Sequence, residues 1–166
     1  MQHLSAANFL YGNHGWSLDV LARQPIWDMN KDFQCGTGHG FGYLGSIHEP
    51  PTGFRWYIVP SKNEHHQFEP GMVITDEPGI YIEGSHGVRL ENELLVCEGE
   101  KNEYGEFLYF EPITYVPFDL DAINPDIMNA EDKERLNTYH ATVYEKVSPY
   151  LNDEEKEWLK KYTRAI

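Results

Sequence analysis

Hydrophobic and polar residues alternate with two different periods along this chain. In its first part, apolar residues come in short runs bounded by Gly, Pro and Asn, the pattern of β-strands. We predict strands at residues 72–75, 88–97 and 106–116, with a turn at residues 102–105 between the last two. The strands are close together in sequence, so the pattern favours an antiparallel sheet.

Helical spacing appears in three segments. Residues 17–29 carry apolar side chains at helical intervals, and we predict a helix there that Ser17 caps and Pro25 kinks. Ala130–Val147 and residues 153–163 are charged, periodic and free of Pro and Gly, with a break at Ser148 and Pro149. These two segments predict terminal helices.

Together the elements predict an α+β fold with a curved antiparallel sheet and flanking helices. We expect residues 1–116 to form the sheet-containing part and residues 117–166 a helical extension of the same domain. Residues 36–45 include five glycines, which suits a strand and loop where the backbone turns tightly or another group approaches closely.

Charge, hydropathy and cysteine count argue against several classes of binding partner and site. The formal charge of -14 opposes binding to nucleic acid and to anionic membranes. No segment approaches the roughly 20 apolar residues that cross a bilayer, and residues 1–10 lack the features of a signal peptide, so we expect a cytoplasmic protein. Cys35 and Cys97 are too few and too far apart for a disulfide framework or a thiolate zinc site.

Two glutamates lie among apolar strand residues. If the strands around them form a hairpin centred on Gly84, Glu77 and Glu91 fall opposite each other with Cβ atoms about 5 Å apart. Two like charges so placed require a cation, and a divalent metal is a stronger remedy than Arg89 on the same face. Period two places Arg89, Glu91 and Glu93 on this face and Val88, Leu90, Leu94 and Val96 on the other. The alternative is a pair of solvent-facing glutamates on a sheet edge.

Two histidines add to this candidate site. His39 is flanked by glycines that leave room for a ligand, and His48 follows nine residues later. One imidazole and two carboxylates suit Mn, Co, Zn or Fe. His65 and His66 lie in a polar stretch and are predicted to be exposed loop residues.

Two other possible motifs lack the surroundings that their function would require. Residues 40–45 have the spacing of a dinucleotide-binding loop, but Pro50 and Pro51 prevent the helix that should hold the pyrophosphate. Cys35 near His39 could be a nucleophile, yet a buried structural cysteine is the simpler interpretation.

Four runs of residues occur in a characteristic order and spacing: CGTGHGFG at residues 35–42, HEPP at 48–51, EPGMVITDEPGIY at 69–81 and GVRLEN at 87–92. In these runs the chain resembles the pita-bread metallopeptidases, and among these the larger, cytosolic aminopeptidase P. The tail at residues 107–114 and the helices after it resemble the C-terminal extension of that subgroup.

The resemblance implies the C-terminal half of a pita-bread fold and removal of an N-terminal residue that precedes proline. It implies two divalent metals, commonly manganese, held by two aspartates, one histidine and two glutamates. His39, Glu77 and Glu91 match the last three ligands. His48 matches a catalytic histidine near the reacting amide, and Arg89 an arginine that lines the site.

The chain departs from this pattern in two ways. The paired aspartates lie upstream in the family, before residue 1 of this chain, and Cys35 stands where a substrate-binding histidine is usual. We therefore expect at most one weakly bound ion and no activity from this chain alone. Half of a two-lobed fold also exposes apolar surface that its other half would cover, so we expect a homo-oligomer. The alternative is a catalytically silent relative that binds a protein or peptide.

Overall fold

A computed structural model of the chain describes residues 1–44, 47–62 and 66–166. The chain divides into two compact units, of which the first ends at Thr114 and the second spans Tyr115–Ile166. Within these described residues, every helix is too short or too polar to cross a bilayer.

The first unit is built on antiparallel strands. The described strands are β1 (Asn8–Leu10), β2 (Gly38–His39), β3 (Gly53–Phe54), β4 (Val73–Asp76), β5 (Gly79–Ile82), β6 (His86–Arg89), β7 (Asn92–Asn102) and β8 (Gly105–Pro112). Four of them form one sheet in the order β1, β8, β7 and β4, and two separate two-stranded ladders, β2 with β3 and β5 with β6, accompany it. The predicted α+β class with an antiparallel sheet is confirmed.

Aromatic rings fill the core on one face of the sheet. Period two turns Leu94 and Val96 of β7 toward this core, where both are essentially inaccessible to solvent. Four phenylalanine rings pack around them with centroids 4.9 to 5.7 Å apart, the spacing of favourable aromatic pairs. These rings belong to Phe9, Phe54, Phe68 and Phe110.

Two ladders share one register on either side of an interruption. The β4–β7 ladder ends at the pair of Asp76 with Asn92, and the β5–β6 ladder begins at the pair of Gly79 with Arg89. All pairs in both ladders are centred on Gly84, which has a positive φ of 70° in the turn. The predicted hairpin register is therefore confirmed.

The interruption falls at the two candidate glutamates. Glu77 and Glu91 occupy opposite positions between the ladders, outside both. Pro78 follows Glu77 and cannot donate a ladder hydrogen bond, which accounts for the break on that strand. Both carboxylates are thus placed where the two-stranded hairpin meets the main sheet.

The strand predicted at residues 88–97 is wrong as a single element, because this interruption divides it into β6 and β7. The prediction that one apolar face runs along this whole segment is also wrong in part. Val88 is 54% and Leu90 38% exposed, because the β5–β6 hairpin lies outside the core that covers Leu94 and Val96. The next strand, β8, ends at Pro112 rather than at residue 116, while the turn predicted at residues 102–105 is confirmed by the pair of Asn102 with Gly105.

The helices of the first unit are short: α1 (Gln2–Ser5), α2 (Gly15–Leu18) and α3 (Val20–Trp27). The predicted cap at Ser17 is wrong, because this residue lies inside α2 and its hydroxyl donates to the carbonyl oxygen of His14 at 2.8 Å. Pro25 is accommodated within α3.

The second unit consists of 3₁₀ turns and two helices, α4 (Ala130–Val147) and α5 (Asp153–Tyr162). Both were predicted from helical spacing, and α5 ends one residue before the predicted limit. Asn152 caps α5 in a capping box with Glu155, and a 3₁₀ turn at Ser148–Tyr150 forms the predicted break.

Candidate metal centre

His39 is positioned by a close approach of two backbones. Its strand partner is Gly53 in β3, and its own N–H donates to the hydroxyl of Thr75 in β4 at 3.0 Å. Its neighbour Gly38 has no room for a side chain, because a Cβ there would overlap the carbonyl oxygen of Thr75. Gly38 therefore lets β2 lie directly against β4 and carries His39 to the candidate site.

The His39 ring lies between two acceptors. Nδ1 is 3.0 Å from the carbonyl oxygen of Gly40, and Nε2 is 3.0 Å from Oε1 of Glu77. A carbonyl oxygen only accepts, so Nδ1 is the nitrogen that donates to Gly40, and Nε2 is the nitrogen that faces the Glu77 carboxylate. Two ligands that each lie about 2.1 Å from one ion at a right angle are also about 3.0 Å apart.

Glu77 is held from its own strand. The hydroxyl of Thr75 donates to Oε1 at 3.0 Å, and the Glu77 backbone N–H donates to the carbonyl oxygen of Thr37 at 2.7 Å. The side chain is 18% exposed. Thr75 therefore orients both His39 and Glu77, as partners behind the ligands of metal sites do.

Arg89 lies between the two glutamates. Its Nε is 3.2 Å from Oε2 of Glu91 and 3.8 Å from Oε2 of Glu77, and its other end donates to the hydroxyl of Tyr81 at 3.0 Å. The hydrogen bond to Tyr81 and the two carboxylates raise the pKa of the guanidinium above its ordinary value. Arg89 remains a cation at any pH at which the chain is folded.

The other predicted site residues lie around this group. The His48 ring is 4.1 Å from the His39 ring between centroids. The Cys35 thiol donates to the carbonyl oxygen of Gly79 at 3.5 Å, at the base of the hairpin beside Arg89. His66 is an exposed loop residue as predicted, and His65 lies outside the described residues.

This donor set fits part of a metal centre. His39, Glu77 and Glu91 are the mixed nitrogen and oxygen donors that hard or borderline divalent ions bind. In the portions of the chain that the structure describes, no three His, Cys, Asp or Glu side chains are arranged to hold an ion together. His39 contacts Glu77 directly, whereas Glu91 is linked to Glu77 only through Arg89.

Sequence reasoning missed the supports of this site. Thr75 and Tyr81 resemble ordinary strand residues, and only their two-residue and eight-residue separations from Glu77 and Arg89 could have indicated contact. A second missed feature is Arg23, which is buried and bonded to Asp19 at 2.6 Å. The four-residue spacing of Arg23 from Asp19, which brings two side chains together on a helix, could have indicated this ion pair.

Asp76 is the most strongly perturbed carboxyl among the described residues. It lies next to Glu77 but is fully buried on the other side of the strand, where Ser5 donates to its Oδ2 at 2.8 Å. Burial raises the pKa of Asp76 to about 6. Its side-chain hydrogen bond is to Ser5 of α1 and not to a residue of the candidate site, so Asp76 supports the strand.

Family comparisons match both parts of the chain. Residues 1–98 match the model described as "Metallopeptidase family M24", and residues 106–166 the one described as "C-terminal region of peptidase_M24". Aminopeptidase P1 of Arabidopsis thaliana is 39% identical over 168 residues, which cover 98% of this chain and 25% of that protein. A probable Xaa-Pro aminopeptidase P of Botryotinia fuckeliana is 39% identical over 163 residues, covering 95% of this chain and 24% of that protein.

A solved structure is also similar. X-prolyl aminopeptidase of Caenorhabditis elegans, described as a cytosolic enzyme with a di-nuclear active site, superposes with a TM-score of 0.88 and 30% identity. The match covers 99% of this chain and 27% of that one. This likeness supports the predicted pita-bread fold. The chain thus spans about a quarter of the length of the relatives it matches.

Proposed function

Because the chain belongs to metallopeptidase family M24, we propose that it is the C-terminal part of the catalytic domain of an aminopeptidase that removes an N-terminal residue preceding proline. The observation that carries this proposal is the contact of His39 with Glu77, beside Glu91, at the break between two ladders. The names of the similar proteins supply the reaction and the substrate class, peptides with proline in second position.

We assign roles by matching residues to this chemistry. His39, Glu77 and Glu91 would hold a divalent metal ion, and we propose that this ion is manganese. His48 is the proposed catalytic histidine, since its ring lies against His39, and Cys35 and Arg89 would line the substrate site. Two bound ions in a complete site would lower the pKa of a bridging water and polarise the peptide carbonyl. The chain's own contribution is to orient the ligands through Thr75 and the hairpin.

The chain alone should be inactive. It supplies three of the five ligands that the resemblance implies, and of these three the resemblance assigns Glu91 alone to the second metal. A single ion cannot both activate water and hold the amino end of a substrate as a pair does. We expect at most one weakly bound divalent ion per chain.

A manganese titration by calorimetry, beside an assay on an Xaa-Pro tripeptide, tests this proposal on the 166-residue chain. The expected result is no more than one ion, with a dissociation constant above about 10 µM, and no turnover above the buffer rate. Two tightly bound ions with robust turnover would contradict it. A peptide that binds without any ion and without hydrolysis would instead favour the silent binding module, to which the Arg89 contacts with both glutamates also point.

We further propose a cytoplasmic homo-oligomer. Large side chains of the first unit are exposed, including Tyr43, Leu44, Trp56, Ile58 and Tyr81, and such surface is usually covered by a partner. Light scattering on the same sample should give a mass above the 19.3 kDa of one chain. The cytoplasmic location rests on the description of the Caenorhabditis elegans relative as cytosolic.

A further inference from the structure

Arg89 takes the place that a cation would take between the two glutamates. Its Nε lies 3.2 Å from Oε2 of Glu91 and 3.8 Å from Oε2 of Glu77. The register forces the two carboxylates to opposite positions, so their repulsion is built into the fold. The guanidinium is the positive charge in contact with both.

The guanidinium is fixed at its other end. Tyr81 lies diagonally across the hairpin from Arg89, and its hydroxyl accepts a hydrogen bond from Nη1 at 3.0 Å. This contact directs Nε toward the carboxylates. The arrangement is specific to Arg, because a lysine ammonium is a single point that cannot reach Tyr81 and both glutamates at once.

His39 approaches Glu77 from a different side. Its Nε2 contacts Oε1, whereas Arg89 faces Oε2, so the two contacts use different oxygens of one carboxylate. Loss of Arg89 therefore leaves the histidine contact and the Thr75 hydrogen bond in place. The two sides of Glu77 can be tested separately.

We propose that Arg89 is an internal counter-ion that holds Glu77 and Glu91 together in the metal-free chain and competes with a divalent ion for them. The inference rests on the proposed metal-binding role of these glutamates. Binding of an ion requires the guanidinium to turn away from both oxygens. Arg89 thus keeps the site ordered without metal and lowers its affinity for metal.

The competition should be measurable but moderate. The Arg89 side chain is 50% exposed and that of Glu91 39%, so solvent screens the pair. Removing an exposed contact of this kind should tighten ion binding by about three- to fivefold. Added salt should reduce the difference, since exposed charges are screened.

Manganese titration of three variants of the whole chain tests the competition. Arg89→Gln should bind the ion about three- to fivefold more tightly than the wild type, and Arg89→Lys should lie between them. Arg135→Gln is the matched control, because it removes the same charge from a surface pair with Glu131 in the other unit. A control that gains as much affinity as Arg89→Gln, or an Arg89→Gln variant that gains none, would overturn the proposal.

Thermal unfolding in chelator tests the counter-ion role without metal. Arg89→Gln should lower the melting temperature, and Glu91→Gln in that background should restore part of the loss, because the repulsion between carboxylates is then removed. If Glu91→Gln lowers the melting temperature of Arg89→Gln further, so that the losses of the two substitutions simply add, the counter-ion role is overturned.

If neither the wild type nor Arg89→Gln binds manganese, both the competition and the proposed metal role fail. If the wild type binds and Arg89→Gln does not improve, only the competition fails.

Discussion

At the scale of single residues, Gly38 helps to position the candidate site although it has no side chain of its own. Its missing Cβ allows β2 to lie against the carbonyl oxygen of Thr75, and the next residue, His39, is then bonded to the Thr75 hydroxyl. The imidazole is thereby aimed at Glu77. A glycine that precedes a candidate ligand acts here through packing, not through a special φ.

Gly38→Ala should destabilise the chain by about 3 kcal/mol, because a backbone carbonyl cannot move aside as a flexible side chain can. Urea unfolding measures the loss. Gly12→Ala is a suitable comparison, since Gly12 has a positive φ of 93° but open space around it and should lose only about 1 kcal/mol. Equal losses in the two variants would show that β2 and β4 are not held at close approach.

Residue patterns alone could place Glu77 opposite Glu91, because both are equidistant from the turn glycine, Gly84. They could not decide which cation lies between them. That depends on the side chain of Arg89, whose direction is set by the hydrogen bond to Tyr81 across the hairpin. The His39 contact was likewise unpredictable from spacing, since 38 residues separate it from Glu77 and only the packing of β2 on β4 joins them.

At the scale of elements, local signals were sufficient for the terminal helices and insufficient for the hairpin. The predicted bounds of α4 match the structure, because helical spacing and the absence of Pro and Gly act within one segment. The division of β6 from β7 falls inside one alternating segment, of which the core covers only the second part. Alternation alone cannot show that Val88 and Leu94 have different neighbours.

Helix α4 contains a histidine whose ionisation should control the stability of the second unit. His140 is inaccessible to solvent, and its Nε2 accepts a hydrogen bond from the Phe118 N–H at 3.0 Å. The contact requires an unprotonated Nε2, and burial, assisted by the charge of Arg164, lowers the pKa of His140 below its ordinary value. The folded state therefore favours the neutral ring.

This difference predicts a loss of stability in acid. Below about pH 6.5, His140 binds a proton in the unfolded chain but stays neutral in the folded chain. The free energy of unfolding therefore falls as the pH drops from 6.5 toward the lowered pKa of His140. The loss accumulates through this range and levels off below the lowered pKa of His140. Thermal unfolding across this range should show a shallower fall for His140→Gln, whose amide oxygen can still accept from Phe118. Parallel curves would mean that His140 is protonated in the folded chain.

At the scale of the whole molecule, the hydrophobic core and the candidate site are separate parts of the first unit. Four phenylalanine rings and the strands around β7 give the first unit its own interior. The candidate ligands lie outside that interior, at the break between the ladders. The order of strands in the sheet, which brings β1 beside β8, joins segments about 100 residues apart and could not be predicted from local pattern.

Manganese binding followed by electron paramagnetic resonance tests whether His39, Glu77 and Glu91 form part of a divalent metal centre. The wild-type chain should bind one ion weakly, and Glu77→Gln should weaken that binding at least about tenfold, because Glu77 is the residue that joins His39 to the second carboxylate. Glu131→Gln, with the same charge change on the surface of α4, should bind as the wild type does. Manganese binding that Glu77→Gln leaves unchanged would contradict the account.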